Sequence, residues 1–151
     1  MSTPTLRAPA STDEAGILNL LAAFHKAHHD KDAAAIAAPY APHAAIYDLE
    51  TPLSHDGISV ERKQAWLATW DTPIEMEPRD FKITVSGDHA FGFAYLRMSG
   101  TPKAAGRLVS FWMRWTVCLE RTNGAWRIVH EHTSVPFYMD GSLWPAFDLQ
   151  P

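Results

Sequence analysis

Asn123-Gly124 lies between two runs rich in β-branched and aromatic residues, and it constrains the chain more than any other feature. Two-residue hairpin loops favour type I′ turns, whose central residues both take positive φ, and Asn-Gly meets that demand at low cost. Such a turn pairs Thr122 with Ala125, Glu120 with Arg127 and Leu119 with Ile128. An uninterrupted ladder continues through Val117 with His130, Trp115 with His132 and Met113 with Ser134. Opposed residues share a sheet face. Met113, Trp115, Val117, Leu119 and Ile128 therefore form an apolar face, with Glu120, Arg127, Arg114 and Glu131 on the outer one. This register carries two polar side chains, His130 and His132, onto the apolar side.

The rest of the chain supplies what covers that side. Ser11-Thr12-Asp13-Glu14 reads as a capping box. The helix after it places Ile17, Leu20, Leu21, Phe24 and His28 on one stripe. Asp32 caps a short Ala-rich helix that Pro39 and Pro42 stop, and Ser59 caps a third helix with Lys63, Trp66, Leu67 and Trp70 on one face. Between them Ala44–Asp48 is a strand candidate, with Asp48 alternating onto the same face as Ala44 and Ile46 and opposite Tyr47. From Arg79 to Ser134 the chain is strand-like, broken at Ser86-Gly87-Asp88, at 100–106 and at Asn123-Gly124, which predicts a four-strand meander. Helices first and strands later, without βαβ alternation, predict an α+β domain. Phe91, Phe93 and Tyr95 on one side of their strand and Ala90, Ala94 and Leu96 on the other all suit burial, so one sheet face reads as a partner surface.

Composition excludes several classes. A formal charge of -4, with Lys and Arg scattered, provides no basic field for nucleic acid. No run approaches the ~18 apolar residues of a membrane helix, and 1–10 lack a signal core, so no membrane role is expected. Cys118 is the single cysteine and faces outward in this register, which precludes an internal disulfide or a Cys-x-x-Cys site and fits a reducing, cytoplasmic setting. The expected organisation is a flexible arm over 1–10, one domain over 11–137 and a C-terminal tail over 138–151, whose Trp144 and Phe147 close the pocket, cross to a partner or strap the domain.

Asp48 and His132 are the candidate catalytic pair, because an imidazole exchanges protons near neutrality and a carboxylate can orient it or act as base. The alternative is a buried polar pair that satisfies only itself. His130, His132 and Asp48 would also suit a two-His, one-carboxylate metal set, but no further ligand pattern accompanies them, so hydrogen-bonded histidines are the preferred reading and no metal or other cofactor is expected. His25, His28 and His29 suit the dipole at a helix C-terminus. Trp66, Trp70 and Trp115 are core residues or the wall for a flat ligand.

Three segments carry a resemblance: Tyr40-Ala41-Pro42-His43-Ala44-Ala45-Ile46-Tyr47-Asp48, the His55-Asp56-Gly57 turn, and Asn123-Gly124-Ala125-Trp126-Arg127-Ile128-Val129-His130-Glu131-His132-Thr133-Ser134. In this order, from about Ser11 to Phe137, they resemble the nuclear transport factor 2 superfold, in its ketosteroid isomerase and SnoaL-like polyketide cyclase branch. The resemblance implies a cone-shaped α+β barrel, a curved antiparallel sheet covered by three N-terminal helices, and dimerisation through the sheet's other face. It also implies cofactor-independent acid/base chemistry of isomerase, dehydratase or cyclase type on a small hydrophobic carbonyl or hydroxy compound. Asp48 matches the base position, and Tyr47-Asp48 is similar to the tyrosine-aspartate pair of scytalone dehydratase. His132 is then the acid/base partner, with Tyr47, His130, Trp66, Trp115, Phe24 and Met113 around the substrate. Phe24 and His25 stand where the isomerase has a phenol, and Trp115 and Met113 where it has a second acid. A non-catalytic small-molecule-binding or dimerisation domain is the alternative that the same superfold supplies.

Overall fold

The computed structural model describes residues 12–151, so the Ser11 cap and the arm over 1–10 lie outside the described residues. Three helices precede the meander: α1 (Thr12–His29), α2 (Ala33–Ala37) and α3 (Val60–Leu67). The strands are β1 (Tyr40–Tyr47), β2 (His55–Asp56), β3 (Glu75–Ser86), β4 (His89–Gly100), β5 (Val109–Thr122) and β6 (Ala125–Ser134). Local chemistry sets the helix starts: Asp32 Oδ1 accepts from the Ala35 amide at 3.0 Å, and Ser59 Oγ accepts from the Arg62 amide at 3.2 Å. On α1 the apolar stripe is buried at Ile17, Leu21, Phe24, Ala27 and His28.

The strands form one mixed sheet in the order β2-β1-β6-β5-β4-β3. The sheet is curved and roofed by the helices, as the α+β expectation had it; it does not close on itself, since β2 and β3 remain separate edges. It is not wholly antiparallel either, because β1 runs parallel to β6. The helices cover one face, where the core gathers Ile17, Leu21, Trp115, Val117, Leu119 and Ile128. The other face leaves Phe91, Phe93 and Tyr95 about half exposed.

The hairpin forms at the expected turn, with φ of 52° at Asn123 and 78° at Gly124. Pairing follows the expected register through Leu119 with Ile128 and then shifts. Val129 is a bulge residue: Cys118 pairs with His130, Val117 with Glu131, Thr116 with His132 and Trp115 with Thr133. Because side chains alternate with a period of two, this one extra residue exchanges the faces of everything beyond it. His130 and His132 point outward, and Glu131 and Thr133 point under the helices. The outer Arg114–Glu131 neighbourhood expected from the unbulged ladder is replaced by Arg114 Nε donating to Ser134 Oγ at 3.0 Å.

The last residues double back along the start of β5. The Tyr138 amide donates to the Trp144 carbonyl at 2.9 Å, Ala146 is buried, and the Phe147 ring lies 4.7 Å from that of Phe111. Trp144 itself is 71% exposed.

Candidate functional site

Under the helices, the parallel pairing of Tyr40 with Ile128 and Ile46 with Glu131 sets Tyr40 and Glu131 on the same inner face. The Tyr40 hydroxyl donates to Glu131 Oε1 at 2.7 Å, and the Trp115 indole N–H donates to Oε2 at 2.9 Å. This anchored carboxyl group borders a cavity of about 130 Å³, together with Asp48 at the end of β1. Phe24 and Met113 line the same cavity from α1 and β5, and Trp66 lines it from α3. Trp115 contributes from behind, through its bond to Glu131.

Asp48 is exposed at the rim, where Oδ1 accepts from the Leu49 amide at 2.8 Å and from Thr133 Oγ1 at 3.4 Å. Its expected partner His132 is not in the cavity, and neither are His130 and Tyr47. The Val129 bulge turns both imidazoles to the outer face, where the Tyr47 ring meets them edge-on at 4.9 Å and 5.4 Å. His130 Nδ1 is bonded there to the Ala45 carbonyl at 2.7 Å. The three members of the considered metal set thus lie on two sides of the sheet. Among the described residues, no group of three or more His, Cys, Asp or Glu side chains could hold a metal ion.

Two other imidazoles take part instead. His28, on the buried stripe of α1, donates from Nδ1 to the Phe24 carbonyl at 2.9 Å. Burial lowers its pKa to about 3; the bond to the Phe24 carbonyl works against that, and Lys63 and His25 add to it. His25 sits between the rings of Phe24 and Trp115, at 5.5 Å and 5.1 Å, and burial lowers its pKa to about 4. Its Nε2 is sealed from solvent and has no hydrogen-bond partner among the described residues. Both rings line the cavity and stay neutral at physiological pH. The helix dipole alone would leave them at a solvated helix end; in the sequence only the position of His28 on the apolar stripe points inward.

Desolvation raises the Glu131 pKa, the hydrogen bonds from Tyr40 and Trp115 partly restore it, Asp48 pushes it further up, and Lys63 opposes that. Tyr40 is pushed well above its usual value, first by burial and then by the neighbouring Glu131. The cavity therefore has inside it a carboxyl whose pKa burial raises, and a second carboxyl at the mouth. Lys63, with its ammonium 4.7 Å over the Trp66 ring, is the cation beside them. The sequence signal for Glu131 was the apolar doublet Ile128-Val129, a break in strict alternation where a bulge can form.

The description of a SnoaL-like domain matches residues 17–138. The chain belongs to the SnoaL-like domain family. Comparison with curated proteins finds no match. Among solved structures, this SnoaL-like chain is similar to an NTF2-like protein of unknown function from Pseudomonas putida KT2440, with 27% identity and a TM-score of 0.82, over 94% of this chain and 99% of that one. An NTF2-like family protein from Streptomyces avermitilis, described as a candidate dehydratase, shares 18% identity with a TM-score of 0.69, over 82% and 95% of the two chains. A candidate aromatic ring hydroxylase from Novosphingobium aromaticivorans shares 20% identity with a TM-score of 0.66, over 80% and 86%. The last two likenesses are of fold. Among the described residues no helix is long and apolar enough to cross a membrane.

Proposed function

We propose that this SnoaL-like domain is a cofactor-independent acid/base catalyst, of isomerase, dehydratase or cyclase type, acting on a small hydrophobic carbonyl or hydroxy compound. The observation that carries the reading is the Glu131 carboxyl held by Tyr40 and Trp115 beside Asp48 in one apolar cavity. Its raised pKa lets Glu131 keep its proton to higher pH than an exposed carboxyl does, and in that form it can donate to a substrate oxygen, as an ionised group cannot. Tyr40 and Trp115 each occupy one oxygen of Glu131, which fixes the plane of the group and leaves its own O–H for the ligand. Asp48, at the rim, removes a proton from the carbon next to the substrate carbonyl while Glu131 stabilises the oxygen. In a β-hydroxy compound the same pair expels water: Asp48 takes the carbon-bound proton and Glu131 protonates the departing hydroxyl. Positioned acid/base groups of this kind contribute roughly 10²–10⁴-fold each.

The role expected of His132 passes to Glu131, because the carboxyl and not the imidazole borders the cavity. For the outer face we infer the dimer contact that the resemblance implies, supported by the row of half-exposed rings at Phe91, Phe93 and Tyr95.

The test is hydrogen–deuterium exchange at the α-carbon of small ketones in D₂O, followed by NMR. Asp48→Asn and Glu131→Gln are each expected to slow catalysed exchange at least about 100-fold with folding intact. Exchange by Asp48→Asn at the wild-type rate would refute the assignment.

A further inference from the structure

The cavity limits what can react in it. Its main lobe holds about 130 Å³, and a second hollow of about 50 Å³ opens on the other side of Tyr40, Asp48 and Glu131, which border both. A closed apolar cavity of roughly 150 Å³ takes up benzene, and one water occupies about 30 Å³ in the liquid. The main lobe is therefore the size of one six-membered ring, and the second hollow that of a hydroxyl or methyl group. Three thioethers, Met76, Met98 and Met113, line the main lobe with Leu96 and do not border the second hollow. Methionine side chains adapt to irregular shapes, but three of them do not yield the space of a second fused ring.

Charge narrows the choice as well. Lys63 faces two rim carboxyl groups, Asp48 and Glu50, and Glu50 also has Arg62 at 3.8 Å on the side of the smaller hollow. Apart from Lys63, which is outnumbered by the carboxyl groups of Asp48, Glu50 and Glu131, the ring-sized lobe presents uncharged imidazoles, thioethers and aromatic rings.

We propose that the substrate is an uncharged compound of one ring, or an open chain of equal bulk, with one small polar substituent, and that Met76, Met98 and Met113 set this limit. The proposal rests on the acid/base reading of the same cavity, since the reacting carbon then lies where the two lobes meet at Asp48 and Glu131. Polycyclic ketones and carboxylates of the same ring size are excluded, the first by volume and the second by the rim acids.

Binding is read by saturable change in tryptophan fluorescence and by thermal shift, with cyclohexanone, α-tetralone, a four-ring steroid ketone and benzoate as probes. Wild-type protein is expected to bind cyclohexanone at least about tenfold more tightly than each of the others, in line with what a mismatch of a ring or a charge costs a shaped pocket. Met98→Ala, which removes a lining thioether at a half-buried position, is expected to tighten α-tetralone binding by about fivefold or more. Equal or tighter binding of α-tetralone, the steroid ketone or benzoate by the wild type overturns the proposal, as does absence of cyclohexanone binding. The two readings fail separately. If the ring-size order holds while Asp48→Asn exchanges protons normally, the acid/base assignment falls alone; if that variant loses exchange while α-tetralone binds as well as cyclohexanone, the size limit falls alone.

Discussion

Two neutral imidazoles sealed beneath the helices make this domain sensitive to acid, and the size of the effect follows from their environment. In the folded chain His25 and His28 have pKa values lowered by burial to about 4 and about 3, against 6.5 in the unfolded chain. At pH 5 the unfolded chain has bound both protons and the folded chain almost none. Stability is therefore fully present above the unfolded value and is lost as pH falls below about 6.5, toward the folded values. Between 6.5 and 5 the loss is about 1.5 pH units at about 1.4 kcal/mol each, or about 2 kcal/mol per histidine and about 4 kcal/mol for the pair. Glu131 works in the opposite sense: its raised pKa makes the folded chain hold a proton that the unfolded chain releases above 4.5, so its contribution weakens as pH rises. Urea unfolding of Glu131→Gln at pH 7.5, 6 and 5, read by tryptophan fluorescence, isolates the histidine effect. A fall of about 4 kcal/mol corresponds to a melting temperature lower by roughly 8–16 °C. His25→Leu with His28→Asn, whose amide can still donate toward the Phe24 carbonyl, should flatten the dependence. Stability constant within ~1 kcal/mol across that range, or a double variant as acid-labile as its parent, would refute the reasoning.

Other consequences are equally open to measurement. Tyr40→Phe removes the donor at Glu131 Oε1, so the Glu131 pKa should rise further in a ¹³C carboxyl titration, with a stability loss of about 1 kcal/mol. If Glu131 acts as its acid form, turnover falls as pH rises through that same pKa, and the fall moves upward in Tyr40→Phe. Gly92→Ala places a methyl group 2.5 Å from Phe81 Cζ and 3.1 Å from the Lys82 carbonyl, and should cost about 1–3 kcal/mol by denaturant titration. Deleting Val129 takes the extra residue out of the ladder but keeps Val117 opposite Glu131, so Glu131 should stay under the helices with its bonds from Tyr40 and Trp115 intact, which an unchanged carboxyl titration would show. Phe93→Lys on the outer face should convert the inferred dimer to monomer in light scattering.

Local rules were enough for the elements. The caps at Asp32 and Ser59, the stripe of α1 and the Asn123-Gly124 turn all rest on interactions within a few residues, and each forms as its sequence indicates. The inward placement of Asp48, Phe24, Trp66 and Met113 needed only period and spacing. The faces of His130 and His132 failed on a single unpaired residue, because alternation propagates an offset along the strand without damping. Tyr40 escapes local rules, since its contact with Glu131 depends on the parallel pairing of β1 with β6, which no local signal encodes.

That parallel pairing also sets when the site can exist during folding. The residues joined by the Tyr40–Glu131 bond are 91 positions apart, and closing a flexible loop of that length costs about 4 kcal/mol in chain entropy by the logarithmic law. The β3–β6 meander can zip up from its own short turns, whereas β1 has nothing to dock on until β6 is in place. A refolding chain should thus regain hairpin structure early and its buried carboxyl late, and a ribosome-bound chain truncated before the final strand would lack both that carboxyl and the strand on which β1 docks.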